Sequence, residues 1–184
     1  MPSRQRRWYT EPETFIAVAA LVVSISAVVV GIYEASLQRN HDKAEVWPHL
    51  ELATYVMPRG GVLRLENTGI GPAIVHSIVV TVDGRVYHDW GGVLEALFGK
   101  RVALLETSTV AEHALRAGDQ VTLVAVRAAD LPPGFWTYVK RIAIRICYGS
   151  VFDEDWLLVT AQLSTSSTWQ SVSKCEQQPK DMDF

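Results

Sequence analysis

Residues 15–33 read FIAVAALVVSISAVVVGIY, nineteen positions without a charge, interrupted only by Ser24, Ser26 and the terminal Tyr33. As a helix rising about 1.5 Å per residue, this stretch spans close to the roughly 30 Å hydrocarbon core of a bilayer. A helix satisfies its own backbone in lipid, so the β-branched Val and Ile residues do not oppose it. Eleven large aliphatic or Phe side chains, each favouring insertion by about 0.3–0.6 kcal/mol, outweigh the two serines. The stretch predicts a transmembrane anchor, with Phe15, Leu21, Val29 and Tyr33 among its anchoring side chains.

Two other readings fit less well. A cleaved signal peptide has a shorter apolar core and a small-x-small cleavage site, and Tyr33-Glu34-Ala35 is a poor one. A buried core helix is shorter and carries a polar face. The flanks agree with a span. Thr10-Glu11-Pro12-Glu13 has the form of a capping box, with Thr10 as N-cap and Pro12 in the first turn. Trp8 and Tyr9 at one end and Tyr33 at the other suit the two interfaces. Arg4, Arg6, Arg7 and the N-terminal amine precede the span, and Arg39 and Lys43 follow it. By a margin of about two charges, the positive-inside rule places the N-terminus in and the C-terminal domain outside.

The rest of the 184 residues has ordinary composition. Hydrophobic residues are 48% and charged residues 20%, which excludes wholesale disorder. A net charge of -3 and a pI near 5.9 argue against a basic nucleic-acid binder. The mean hydropathy of +0.11 is concentrated in the apolar block. Residues 34–48 are polar and free of Gly, and predict a helical stalk ending at Trp47-Pro48.

From residue 49 the period changes to that of strands. Residues 49–56, 62–67, 73–82, 85–90, 101–105, 120–126, 140–148 and 156–163 alternate or carry β-branched runs. In 73–82 the alternation places Ile74, Ile78, Val80 and Val82 on one face, with His76 among them. Asp83-Gly84 signals a type I′ hairpin. Residues 91–100 break the pattern, with Val93, Leu94, Leu97 and Phe98 at helical spacing and Gly99 as C-cap. The expected architecture is mainly β: an N-terminal transmembrane helix, then an antiparallel Ig-like β-sandwich over residues 49–163 with a short helical insertion. A closed barrel is the alternative. Residues 164–184, rich in Ser, Thr and Gln, predict a disordered tail.

The run Asn67-Thr68-Gly69-Ile70-Gly71-Pro72-Ala73 is followed by Val82-Asp83-Gly84, Leu115-Arg116-Ala117-Gly118-Asp119 and Ile146-Cys147-Tyr148-Gly149-Ser150-Val151-Phe152. In that order these resemble a group of bacterial single-span membrane proteins, in which a stalk with a Trp-Pro or Arg-Pro dipeptide leads into an N-x-G-x-G-P-A β domain. Here the dipeptide is Trp47-Pro48. The turn cues are also similar to those of Ig-like adhesion modules. The resemblance implies a fold and a place in the bacterial inner membrane. It carries no established activity and transfers no catalytic residue.

Candidate chemistry is sparse. Asn67, Gly69, Gly71 and Pro72 read as a structural turn, with the glycines supplying positive φ. No helix follows them to hold a phosphate. His41, His49, His76, His88 and His113 lack metal-ligand spacing, and His76 reads as a core histidine. Asp153-Glu154-Asp155 lacks the ligand pattern of a calcium loop. Cys147 and Cys175 form no C-x-x-C. A bridge between them is open to a domain outside the cytoplasm, but a tail cysteine is a poor structural partner. Trp90, Leu94, Leu97 and Phe98 cap the sandwich or form a docking face, and Val151 and Phe152 are further partner-binding candidates.

The chain is therefore expected to be a non-enzymatic, membrane-anchored binding or scaffolding module. Its partners would be the bilayer and a protein or a second copy. No cofactor, metal or nucleic acid is expected. The alternatives are a self-associating membrane effector, using Ser24, Ser26, Ala27 and Gly31 for close packing, and an enzyme with a dispersed site at His76, His88 and Asp89.

Overall fold

A computed structural model describes residues 12–163 and 166–184. The described chain divides into two compact units at Ala44/Glu45. The proposed N-cap Thr10, Glu11, the aromatic pair Trp8 and Tyr9, and Arg4, Arg6 and Arg7 lie outside the described residues.

The first unit is a helix, α1, running without interruption over Pro12–Glu45. It is long and apolar enough to cross a membrane, with a mean hydropathy of 2.8 in its most apolar window. Phe15, Leu21, Val29 and Tyr33 are all exposed on it. The two serines are satisfied within the helix. Ser24 Oγ donates to the Ala20 carbonyl at 2.8 Å and Ser26 Oγ to the Val22 carbonyl at 2.9 Å, so neither hydroxyl is left unpaired. The polar stalk continues the same helix and ends at Glu45, two residues before Trp47-Pro48.

The second unit is built from antiparallel sheets with few helices. One sheet has the order β1-β2-β7-β5, from Leu50–Met57, Gly60–Asn67, Gln120–Arg127 and Leu104–Thr107. The other has the order β10-β9-β8-β3-β4, from Thr168–Val172, Asp155–Thr160, Ile142–Gly149, Ala73–Val82 and Arg85–Tyr87. The short β6, Ala114–Leu115, pairs with the start of β3. Neither order closes on itself, so the barrel alternative is not what forms. Leu63, Leu65 and Leu123 of the first sheet share one hydrophobic cluster with Val75, Ile78, Ile144, Ile146 and Leu158 of the second.

Several elements follow directly from local chemistry. Asp83 and Gly84 have φ of 49° and 79°, the paired positive values a type I′ turn requires. α2, Trp90–Phe98, is capped by Asp89, whose side chain accepts from the Gly92 N–H. Gly99, at φ 68°, ends it in the left-handed region. α3, Phe135–Val139, follows the Pro132-Pro133-Gly134 loop and has no counterpart in the sequence pattern.

Two expectations are corrected. The face assigned to β3 holds for Ile78, Val80 and Val82, but Ile74 is only half-buried and Val75 is buried instead. A bulge between Val75 and Ser77 in the pairing with β8 shifts the phase by one residue and turns His76 off the core face. Residues 166–184 are ordered, not a disordered tail. β10 pairs with β9 over five residues, Cys175 is bonded to Cys147, and Phe184 is 1% exposed. One tie is to the neighbouring strand and the others cross to more distant residues, and together they offset the tail's low apolar content.

Candidate functional sites

The glycine-rich turn is a knot around Asn67, whose side chain is buried and uses all four of its hydrogen-bonding sites. Nδ2 donates to the carbonyls of Gly71 at 2.9 Å and Leu115 at 3.0 Å. Oδ1 accepts from the N–H of His49 at 3.3 Å and of Gly69 at 3.1 Å. The side chain thus joins the start of β1, the 68–72 loop and β6.

The glycines serve a different purpose from the one expected, since neither Gly69 nor Gly71 is among the positive-φ residues. They let two backbones touch. A Cβ on Gly69 would lie 2.3 Å from the His49 nitrogen, and one on Gly71 would lie 1.8 Å from the Val46 oxygen. Pro72 then leads into β3.

Strand register brings several loops to one end of the domain. Leu50 pairs with Asn67, and Ile74 pairs with Gly149, so segments 46–49, 68–72 and 150–154 adjoin. Their apolar side chains Trp47, Ile70, Val151 and Phe152 are exposed, with Ile70 at 65% and Val151 at 53%. The Phe152 N–H donates to Ser150 Oγ at 3.1 Å, and the Ser150 N–H to the Glu154 carbonyl at 2.9 Å. Local hydrogen bonds therefore shape the loop while its apolar tips face outward. Ile70 and Trp47 were not among the candidates from sequence; the exposure of each is set by the knot, which no local pattern records.

The other candidate docking residues point inward. Trp90, Leu94 and Leu97 are at most 5% exposed and belong to the core. Phe98 is half-buried and meets Tyr138 edge to face at 5.7 Å. The outward docking face at these four positions is therefore corrected to a cap over the core. Trp90 also meets Phe184 edge to face at 5.2 Å, and the Phe184 carbonyl accepts from the N–H groups of Val110 and Ala111.

The dispersed histidines and acids separate. His88 Nδ1 lies 3.1 Å from Asp181 on the surface, and Asp89 is occupied as the α2 cap. His76 is not a core residue; its Nε2 lies 3.8 Å from Asp155 Oδ1. The other Asp155 oxygen accepts from the Cys175 N–H at 2.7 Å. Cys147 and Cys175 form a disulfide, which corrects the view of the tail cysteine as a poor partner. Arg141 makes a bidentate pair with Asp83, and the guanidinium holds that carboxyl below its ordinary range. Tyr148 is buried in the core, and burial pushes its hydroxyl up to about 12, opposed by a backbone hydrogen bond from Leu50.

No family model matches the chain, and neither a curated protein nor a solved structure matches it.

Proposed function

We propose that this chain is a single-pass, membrane-anchored β module that binds a protein partner through the loop end bearing Trp47, Ile70, Val151 and Phe152. The observation that carries the reading is the gathering of four exposed apolar side chains, Trp47, Ile70, Val151 and Phe152, on adjoining loops at one end of the domain. An Ig-like sandwich is supported by strand order. Immunoglobulin-type domains arrange their strands as A-B-E-D and G-F-C-C′. β1-β2-β7-β5 and β9-β8-β3-β4 follow the same sequence of steps.

A position for the domain outside the cytoplasm is supported by the disulfide, because such bonds persist in oxidising compartments. The excess of Arg before the span points the same way. The bacterial inner membrane is the compartment the family resemblance implies. Self-association through α1 has less support, since Ser24 and Ser26 spend their hydroxyl protons on their own helix.

In-membrane crosslinking of the full chain tests the partner reading. Ile70→Asp and Phe152→Asp should abolish a specific crosslinked adduct while thermal unfolding stays unchanged. An adduct that survives both substitutions, or the absence of any adduct from the unaltered chain, would overturn it. A C-terminal reporter fusion active only in the cytoplasm would overturn the assigned side.

A further inference from the structure

Three potential metal ligands from three segments lie together on the outer face of the second sheet, and a fourth is tied to them by a covalent bond. His76 comes from the β3 bulge, Cys147 from β8, Asp155 from the first position of β9, and Cys175 from the segment after β10. Ligand atoms of His76, Asp155 and Cys175 all lie within 4.8 Å of one another. The fourth, Cys147 Sγ, is bonded to Cys175 Sγ at 2.08 Å.

The surroundings are shaped to leave this cluster room. A Cβ on Gly149 would lie 2.5 Å from Asp155 Oδ1 and 3.0 Å from His76 Nε2, so any other residue there would fill the space between them. Asp155 holds the Cys175 N–H with Oδ2, which fixes the carboxylate and leaves Oδ1 facing His76. An open cavity of about 260 Å³ with mixed lining, Ser77, Arg145, Lys174 and Glu176 among apolar Val79, Leu157 and Val172, adjoins Cys147.

We propose that the Cys147–Cys175 disulfide is the oxidised state of a divalent-metal site, and that its reduction creates a His76, Cys147, Asp155 and Cys175 ligand set for an ion of the zinc class. Tetrahedral zinc with these ligand types sets neighbouring ligand atoms about 3.3–3.7 Å apart. The His76–Asp155 spacing of 3.8 Å is already close to that. The sulfurs must separate to share one ion, and Cys175 lies outside any strand, so its backbone is free of ladder pairing.

The chemistry balances with a dithiol as reductant. It delivers two electrons and two protons to the S–S bond and leaves as its own disulfide. Metal binding then releases both thiol protons to water. Two thiolates, one carboxylate and one dication leave a net negative site beside Arg145 and Lys174. Oxidation reverses the sequence and expels the ion. This inference is independent of the protein-partner reading.

The test uses the full chain in detergent micelles, either oxidised or reduced with dithiothreitol and freed of it without air. Each form is titrated with Co²⁺ and then Zn²⁺. The reduced chain should bind one equivalent of Co²⁺ with thiolate-to-cobalt charge-transfer absorption, which Zn²⁺ then removes; the oxidised chain should show none. His76→Ala and Asp155→Asn should each weaken binding at least about tenfold, the lower range for loss even of residues that only support a ligand. Equal binding by reduced and oxidised chains would overturn the proposal, as would variants that titrate like the unaltered chain. Should reduction unfold the domain, refolding on added Zn²⁺ supports the site, and failure to refold overturns it.

Discussion

Replacing Asn67 with Ala removes an amide that satisfies four backbone groups at once. The two acceptors that lose Nδ2 are the carbonyls of Gly71 and Leu115, both in buried residues. An unsatisfied buried polar group costs about 1–3 kcal/mol. The His49 and Gly69 N–H groups are only part-buried, so water compensates them more cheaply. The expected loss is about 3–5 kcal/mol, a large part of the roughly 5–15 kcal/mol that holds a domain together.

Urea unfolding of the full chain in micelles, followed by near-UV circular dichroism, reads this directly. With a urea dependence of about 1–3 kcal/mol per molar, the midpoint should fall by about 1–5 M. Asn67→Asp adds a signed control. The new carboxylate keeps the two acceptor roles but faces the two carbonyls with a charge, which raises its folded-state pKa. Its neutral form is therefore the one the fold favours. The variant should be most stable below about pH 4 and lose stability as pH rises through the folded pKa. A loss below about 1 kcal/mol for Asn67→Ala, or an Asn67→Asp variant that gains stability with rising pH, would refute the reasoning.

Three other perturbations test separate features. Gly71→Ala places a methyl 1.8 Å from the Val46 oxygen and should cost about 3 kcal/mol in thermal unfolding, the upper part of the overpacking range; Gly31→Ala, where nothing lies within 4 Å, should be neutral. Phe184→Ala empties a fully buried site against Trp90 and should cost about 3–5 kcal/mol, with new protease cleavage in residues 174–184 detected by mass spectrometry. Tyr148 has its folded pKa raised from 10.0 to about 12, so its contribution is complete below pH 10 and is lost as pH rises through 12; the stability-against-pH slope between those values should flatten in Tyr148→Phe.

The apolar span, the hairpin at Asp83-Gly84 and the alternation of β8 were legible because each is set by neighbours in sequence. Ile142, Ile144, Ile146 and Tyr148 are all buried, as their period requires. The phase of β3 was not legible before Ile78, because a bulge is decided by the partner strand, and that shift changed the reading of His76. The tail was misread for the same kind of reason. Its composition is polar, and its order comes from the adjacent β9 and from Cys147 and Trp90, which are farther away in the chain. The docking candidates divided likewise. Helical spacing identified the apolar stripe of α2 but gave no sign of which way it faced, whereas Val151 and Phe152 beside a turn did end up exposed.

The place of Phe184 against Trp90 also bears on biosynthesis. A polypeptide emerges N-terminus first, at about 5–20 residues per second, so Phe184 follows the end of β9 by about 1–5 s. Throughout that interval the indole face of Trp90 waits without the ring that covers it. A chain cut between Val172 and Phe184 would keep every described strand yet lack the aromatic that packs on Trp90. Trp90, 3% exposed in the folded domain, would then be left uncovered on one side.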